Sequence, residues 1–175
     1  AESEELIKTI SERVKRRDLK GLLEQVERAV ELRGDRTDMQ KLAGQLRERE
    51  DKRRQQRDEA CNEATRLFDT GDAKGALAMI QSVPSDDLRS SDEQLRSELE
   101  EIVAAEDQLT ALVKESKADG VLDPDEVVSM WQATVSYLKL NPRHEKIAEL
   151  QQQLKARIQK APDKYAEFAE LADFW

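Results

Sequence analysis

Apolar residues in this chain recur at intervals of three and four, and short polar breaks cut the runs. The first run predicts a helix over residues 3–16, with Leu6, Ile10 and Val14 on one face. The second predicts a helix over 18–32, carrying Leu19, Leu22, Leu23, Val26, Ala29 and Val30. Gly34 closes it, and Asp35 or Thr37 caps the next. That third helix runs over about 37–69 and has two apolar patches. One is Met39, Leu42, Ala43 and Leu46; the other is Ala60, Cys61, Ala64, Leu67 and Phe68. Residues 47–59 between them contain no apolar side chain. A helix of this length spans ~50 Å, more than one small bundle needs. The bare middle therefore predicts a helix that leaves one bundle and enters another.

Gly71 and Asp72 supply a stop and a cap for a short helix over 73–82, with Ala73, Ala76, Leu77 and Ile80 inward. After Pro84, Ser90 and Glu93 form a capping-box pattern for a helix over 91–117. Its stripe is Leu95, Leu99, Ile102, Leu109, Leu112 and Val113, interrupted by Glu106. Asp123 as N-cap, Pro124 at the first helical position and the acidic Glu126 start a helix over 124–140. Asn141-Pro142 restarts the chain for a helix with Ile147, Leu150, Leu154 and Ile158. Pro162 opens a final helix with Tyr165, Phe168, Leu171 and Phe174.

Three short segments share one spacing. Leu19–Leu23, Ala73–Leu77 and Val127–Trp131 start 54 residues apart, since 73−19 and 127−73 are both 54. At an offset of 108, Leu32, Leu42, Gln45, Leu46 and Arg49 meet the same residue types at Leu140, Leu150, Gln153, Leu154 and Arg157. A period of this size marks a modular helical array. The expected fold is all-α: an elongated array of three small helical bundles, built from helical-hairpin repeats and joined by long shared helices. The units are expected at 1–48, 49–104 and 105–160, with a C-terminal aromatic helix at 161–175. A bundle of that size is marginal alone, so its neighbours must contribute.

Composition narrows the function. Apolar and charged residues each make up 38% of the chain, so surface outweighs core. Aromatics are only 4%, which argues against a large aromatic-lined ligand pocket. The net charge of −9 makes nucleic acid and anionic membrane poor partners. Cys61 is the single cysteine and His144 the single histidine, so a disulfide, a thiolate zinc site and a multi-histidine site are excluded within the chain. No run reaches the ~20 apolar residues of a membrane span. With no signal peptide, the expected location is cytoplasmic.

Several segments carry candidate chemistry. The loop 115–126 follows the second half of a calcium EF-hand, with Gly120 at position 6, Leu122 at position 8 and Glu126 at position 12. Its first half departs from that pattern: Glu115 stands at position 1 and Lys117, a cation, at position 3. Helix-end chemistry explains Gly120, Asp123, Pro124 and Glu126 without a metal. The basic run Arg47, Arg49, Lys52, Arg53, Arg54 and Arg57 alternates with acids and reads as a solvated connector. Cys61 reads as a core thiol and His144 as a surface residue. Tyr165, Phe168, Phe174 and Trp175 are the candidate partner-binding residues, either as a docking surface or as a cap on the last bundle. No nucleophile has a recognisable base partner, so no catalytic residue, cofactor site or metal site is assigned.

Two resemblances follow. Ala118-Asp119-Gly120 with Glu126 resembles the short motif of tellurite-resistance-type helical domains. Tyr137-Leu138-Lys139-Leu140-Asn141-Pro142 with Leu150–Arg157 is similar to helical spacer repeats of large multidomain bacterial proteins of the planctomycete type, and Glu31–Gly34 with Leu42–Arg49 echoes it. Val83-Pro84 in the middle unit departs from that pattern. The spacer likeness implies a stalk or protein-contact role and transfers no site residue. The expected function is a non-enzymatic helical spacer, scaffold or protein–protein interaction module of a larger bacterial protein. Two alternatives stay open. One is a self-associating coiled coil through Leu95, Ile102 and Leu109. The other is a calcium-responsive module using 115–126.

Overall fold

Amphipathic spacing with good caps builds α-helices at the first seven predicted places, and a computed structural model shows where their apolar faces go. It describes residues 2–118 and 122–168. The α-helices are α1 (Glu2–Lys15), α2 (Leu22–Leu32), α3 (Thr37–Asp69), α4 (Ala73–Gln81), α5 (Ser90–Ala118), α6 (Pro124–Leu140) and α7 (Glu145–Lys160). Two 3-10 segments, Ser85–Asp87 and Pro162–Phe168, complete the described elements, and no strand occurs among them. The chain is all-α, and packing is between helices consecutive in sequence: α1 on α2, α4 on α5, α5 on α6, α6 on α7. It divides into two compact units, Ala1–Asp58 and Glu59–Trp175, and the division falls inside α3.

The first unit has one core. Ile10 of α1, Leu22, Val26 and Ala29 of α2, and Met39, Ala43 and Leu46 of α3 are buried together. Full burial of a side chain the size of Leu22 or Ile10 stabilises by about 1.5–3 kcal/mol. α2 begins at Leu22, four residues later than the apolar spacing predicts, because a turn intervenes. Arg17 takes a left-handed conformation (φ 57°), and the Asp18 N–H closes onto the Arg13 carbonyl at 3.0 Å. The Arg13 guanidinium then staples the turn. It donates to the Asp18 carboxylate (2.9 Å), the Lys20 carbonyl (2.6 Å) and Gln25 Oε1 (3.1 Å). A stripe of apolar positions cannot register this turn, since Leu19 packs on the same core from outside the helix.

The second unit has two apolar clusters. One gathers Cys61 and Ala64 of α3, Ala73, Ala76 and Ile80 of α4, Leu99, Ile102 and Leu109 of α5, and Tyr137 of α6. The other gathers Val127, Val128, Met130 and Trp131 of α6, Leu154 and Ile158 of α7, and Tyr165. α5 serves both, and Val113 packs against each. Leu95, Ile102 and Leu109, the seven-residue seam of the coiled-coil alternative, lie in or against the intramolecular core.

Two local details differ from expectation. α5 is not capped by a Ser90–Glu93 box. Asp92, 7% exposed, accepts the Arg89 N–H (3.1 Å) and the Arg89 side chain (2.9 Å), so Arg89 and Asp92 close the first turn. The segment after Pro162 is 3-10 rather than α, and Tyr165 departs from helical angles (φ −114°, ψ 18°) where its ring turns into the second cluster.

Left-handed backbone costs a non-glycine residue about 1–2 kcal/mol. Arg17→Gly is therefore expected to raise the stability of the first unit by up to ~1 kcal/mol after glycine's own entropic cost. Urea unfolding of the variant beside the parent checks this; a loss of stability would show that the Arg17 side chain matters more than its strain.

Candidate functional site

Glu106 breaks the apolar stripe of α5, and it becomes the centre of a polar junction in the second unit. Its side chain is only 14% exposed. Oε2 accepts the Tyr137 hydroxyl proton at 3.1 Å, and Oε1 lies 3.2 Å from the Lys74 ammonium. Lys74 also reaches Asp107 at 2.8 Å, and this hydrogen bond, more than Glu106, raises its pKa above the ordinary lysine value. Three helices, α4, α5 and α6, thus meet on one carboxylate.

Asn141 extends the junction to two turns. It is 1% exposed, and its amide nitrogen donates to the Gly71 carbonyl at 3.0 Å and to the Tyr137 oxygen at 3.2 Å. Gly71 ends α3 in a left-handed turn (φ 88°), with the Asp72 N–H on the Leu67 carbonyl and its own N–H on that of Phe68. A Cβ on Gly71 would stand 2.8 Å from the Arg143 carbonyl carbon, so the α3–α4 and α6–α7 turns touch backbone to backbone. Arg143 pairs with Asp69 across the same contact.

His144 is the N-cap of α7. Its Nδ1 accepts the Ile147 N–H at 3.3 Å, which leaves the ring proton on Nε2, 3.8 Å from Glu106. The ring stands edge-on to Tyr137, with centroids 5.5 Å apart at 81°. The expectation of a surface histidine is corrected: the side chain is 18% exposed and helps close the junction. Burial is the main cause that pushes the Tyr137 hydroxyl up to about 12, Glu106 adds to it, and the Asn141 hydrogen bond opposes it. A carboxylate, an imidazole and a phenol stand together here, but each is engaged in holding turns and helices in place.

The other sequence candidates fall as follows. Tyr165 is 7% exposed, and Phe168 packs against the same cluster, so both side chains belong to the core of the second unit. Phe174 and Trp175 lie outside the described residues. So does Gly120 of the loop 115–126. Glu126, the expected bidentate calcium ligand, instead accepts the Asp123 N–H at 3.0 Å, while Asp123 accepts the Glu126 N–H at 2.8 Å: a reciprocal capping box. No cluster of metal-ligating side chains occurs among the described residues. Cys61 is buried at 4% exposure. In the basic run, Arg47 bridges to Glu27 (2.7 Å), Arg54 to Asp51 (3.6 Å) and Arg57 to Asp58 (2.8 Å). No described helix is long and apolar enough to cross a membrane.

One open cavity of about 570 Å³ lies between α5 and α6. On α5 it is lined by Ala105, Gln108, Leu109 and Leu112, with Ala111 and Glu115 beside them. On α6 it is lined by Ala133, Ser136, Tyr137 and Leu140. Sequence reasoning missed this groove, because Leu109 and Tyr137 read as core and the alanines carry no signal. Compared with protein-family models, curated proteins and solved structures, the chain matches none.

Asn141→Ala removes two buried hydrogen bonds, one to the Gly71 carbonyl, which keeps the Ala73 N–H, and one to the Tyr137 oxygen, and is expected to cost about 1–3 kcal/mol in urea unfolding. A pH series tests Tyr137. Its pKa is raised in the fold, to about 12, above an unfolded value of ~10. The neutral phenol is the form the fold favours, so its contribution is complete below pH ~10 and is lost as pH rises through about 12. Tyr137→Phe should flatten that fall, and ultraviolet titration should show one of the tyrosines ionising near 12.

Proposed function

We propose that the chain is a non-enzymatic helical spacer and scaffold, assembled from successive small bundles that share long helices. The observation that carries this reading is the sharing itself. α5 contributes Leu99, Ile102 and Leu109 to one apolar cluster and Leu112 and Val113 to the next, and α3 contributes to the cores of both units. Packing between consecutive helices is the pattern of a quasi-one-dimensional array. Within the second unit, α5 belongs to two clusters and so passes the orientation of one to the other, and a part that holds attached domains at a set spacing works in this way. The likeness of residues 137–142 and 150–157 to helical spacer repeats of planctomycete-type multidomain proteins supports the same reading.

The rivals have less behind them. A coiled coil needs a free seam, and the α5 seam is used internally. A calcium switch needs Glu126, and the capping box engages it. The single histidine, the most usual catalytic base, has its Nδ1 taken up by the helix N-terminus and lends an enzyme no support.

A spacer requires the bare middle of α3 to be a stable rod. Spin labels at Glu48 and Asn62, in a Cys61→Ala background, lie 14 residues apart on that helix. Their backbones should be held ~21 Å apart with a narrow distribution. A broad distribution would mean a hinge at 49–57 and would sink the spacer reading.

A further inference from the structure

We propose that the groove between α5 and α6 is a docking site for a cationic amphipathic helix of another protein. Two helices present it, and each contributes residues at i, i+3, i+4 and i+7: Ala105 to Leu112 on α5, Ala133 to Leu140 on α6. This is the receptor geometry of helix-in-groove recognition, in which a third helix lays an i, i+3/i+4, i+7 stripe between two others. The lining along α5 runs over 11 residues, from 105 to 115. That is ~15 Å, enough for two to three turns of a guest helix.

The walls suit close approach. Ala105, Ala111 and Ala133 leave room for a guest backbone, and Leu109 and Tyr137 form an apolar floor. Leu140, also in the lining, is 47% exposed and the most exposed large hydrophobic residue described. A side chain of this kind loses apolar hydration when a partner covers it.

Charge selects the occupant. Among the described residues Glu115 is the one charged residue in the lining, and it is exposed. The whole chain carries −9, so two copies brought face to face would repel, whereas a basic helix would be attracted. A guest with leucine-type anchors and a Lys or Arg facing Glu115 satisfies both the groove and the field.

The test uses the full chain, isotope-labelled, and a synthetic 14-residue helical peptide with Leu at i, i+3, i+4, i+7 and i+11 and Lys elsewhere. Amide shifts should move at 105–115 and 133–140, with saturable binding. Leu140→Asp, at an already exposed position, should weaken binding by roughly tenfold or more, and Ala133→Trp should do the same by filling the groove. Glu115→Lys should weaken it several-fold, and a peptide with Glu in place of Lys should bind at least about tenfold more weakly. Shifts scattered over the acidic surface, or affinities unchanged in Leu140→Asp, would overturn the proposal. So would concentration-dependent dimerisation that Leu140→Asp abolishes, since a second copy would then be the occupant. The label distance in α3 does not depend on any of these results, so the docking site and the spacer reading fail separately.

Discussion

The second unit depends on a buried amide. Asn141 donates to the Gly71 carbonyl across 70 residues of sequence, joining the Ala73 N–H (3.1 Å) on that oxygen. A carbonyl oxygen can accept two hydrogen bonds, and here one comes from its own turn and the other from the far one. Gly71 must have no side chain for the Arg143 backbone to come so near, and Asn141 must be short to reach across. Once these two turns are in contact, the positions of α4 and α6 follow. Glu106 then has a phenol, an ammonium and an imidazole arranged around it.

This explains how a unit with so few aromatics holds two clusters together. The α3–α4–α5 cluster is rich in alanine, with Ala64, Ala73 and Ala76 essentially inaccessible, so its helices sit close but bury little area per residue. The polar junction adds directional bonds where apolar area is scarce. A buried network of this kind is favourable only when its members are satisfied, and here Tyr137 both donates to Glu106 and accepts from Asn141. Surface ion pairs such as Arg66–Glu63 and Arg28–Glu31 contribute far less, being open to water and salt.

The junction and the groove share Tyr137. Tyr137 turns its hydroxyl to Glu106 and lends its ring to the groove floor. Whatever docks between α5 and α6 therefore rests on a side chain already fixed by three helices. The proposed docking needs little rearrangement, since both walls belong to the folded unit.

The sequence alone determined the helices, because helix formation is local. Spacing of apolar residues gave α3 as Thr37–Asp69 and α6 as Pro124–Leu140, and Asp123, Pro124 and Glu126 gave the start of α6 through chemistry within one turn. It also gave the core identity of Cys61, Trp131 and Tyr137, since each lies on an apolar stripe. Tertiary structure alone decided the rest. Glu106 was visible as an interruption, but its partners come from α4, α6 and the start of α7. Asn141 read as a helix boundary, and only packing made it a bridge to Gly71. His144 read as a surface residue until the α6–α7 turn placed it over Tyr137. The groove, likewise, is a space between two helices, and no property of either helix by itself contains it. Local periodicity encodes which face is apolar. Which partner covers that face, or leaves it open, depends on residues far apart in the chain.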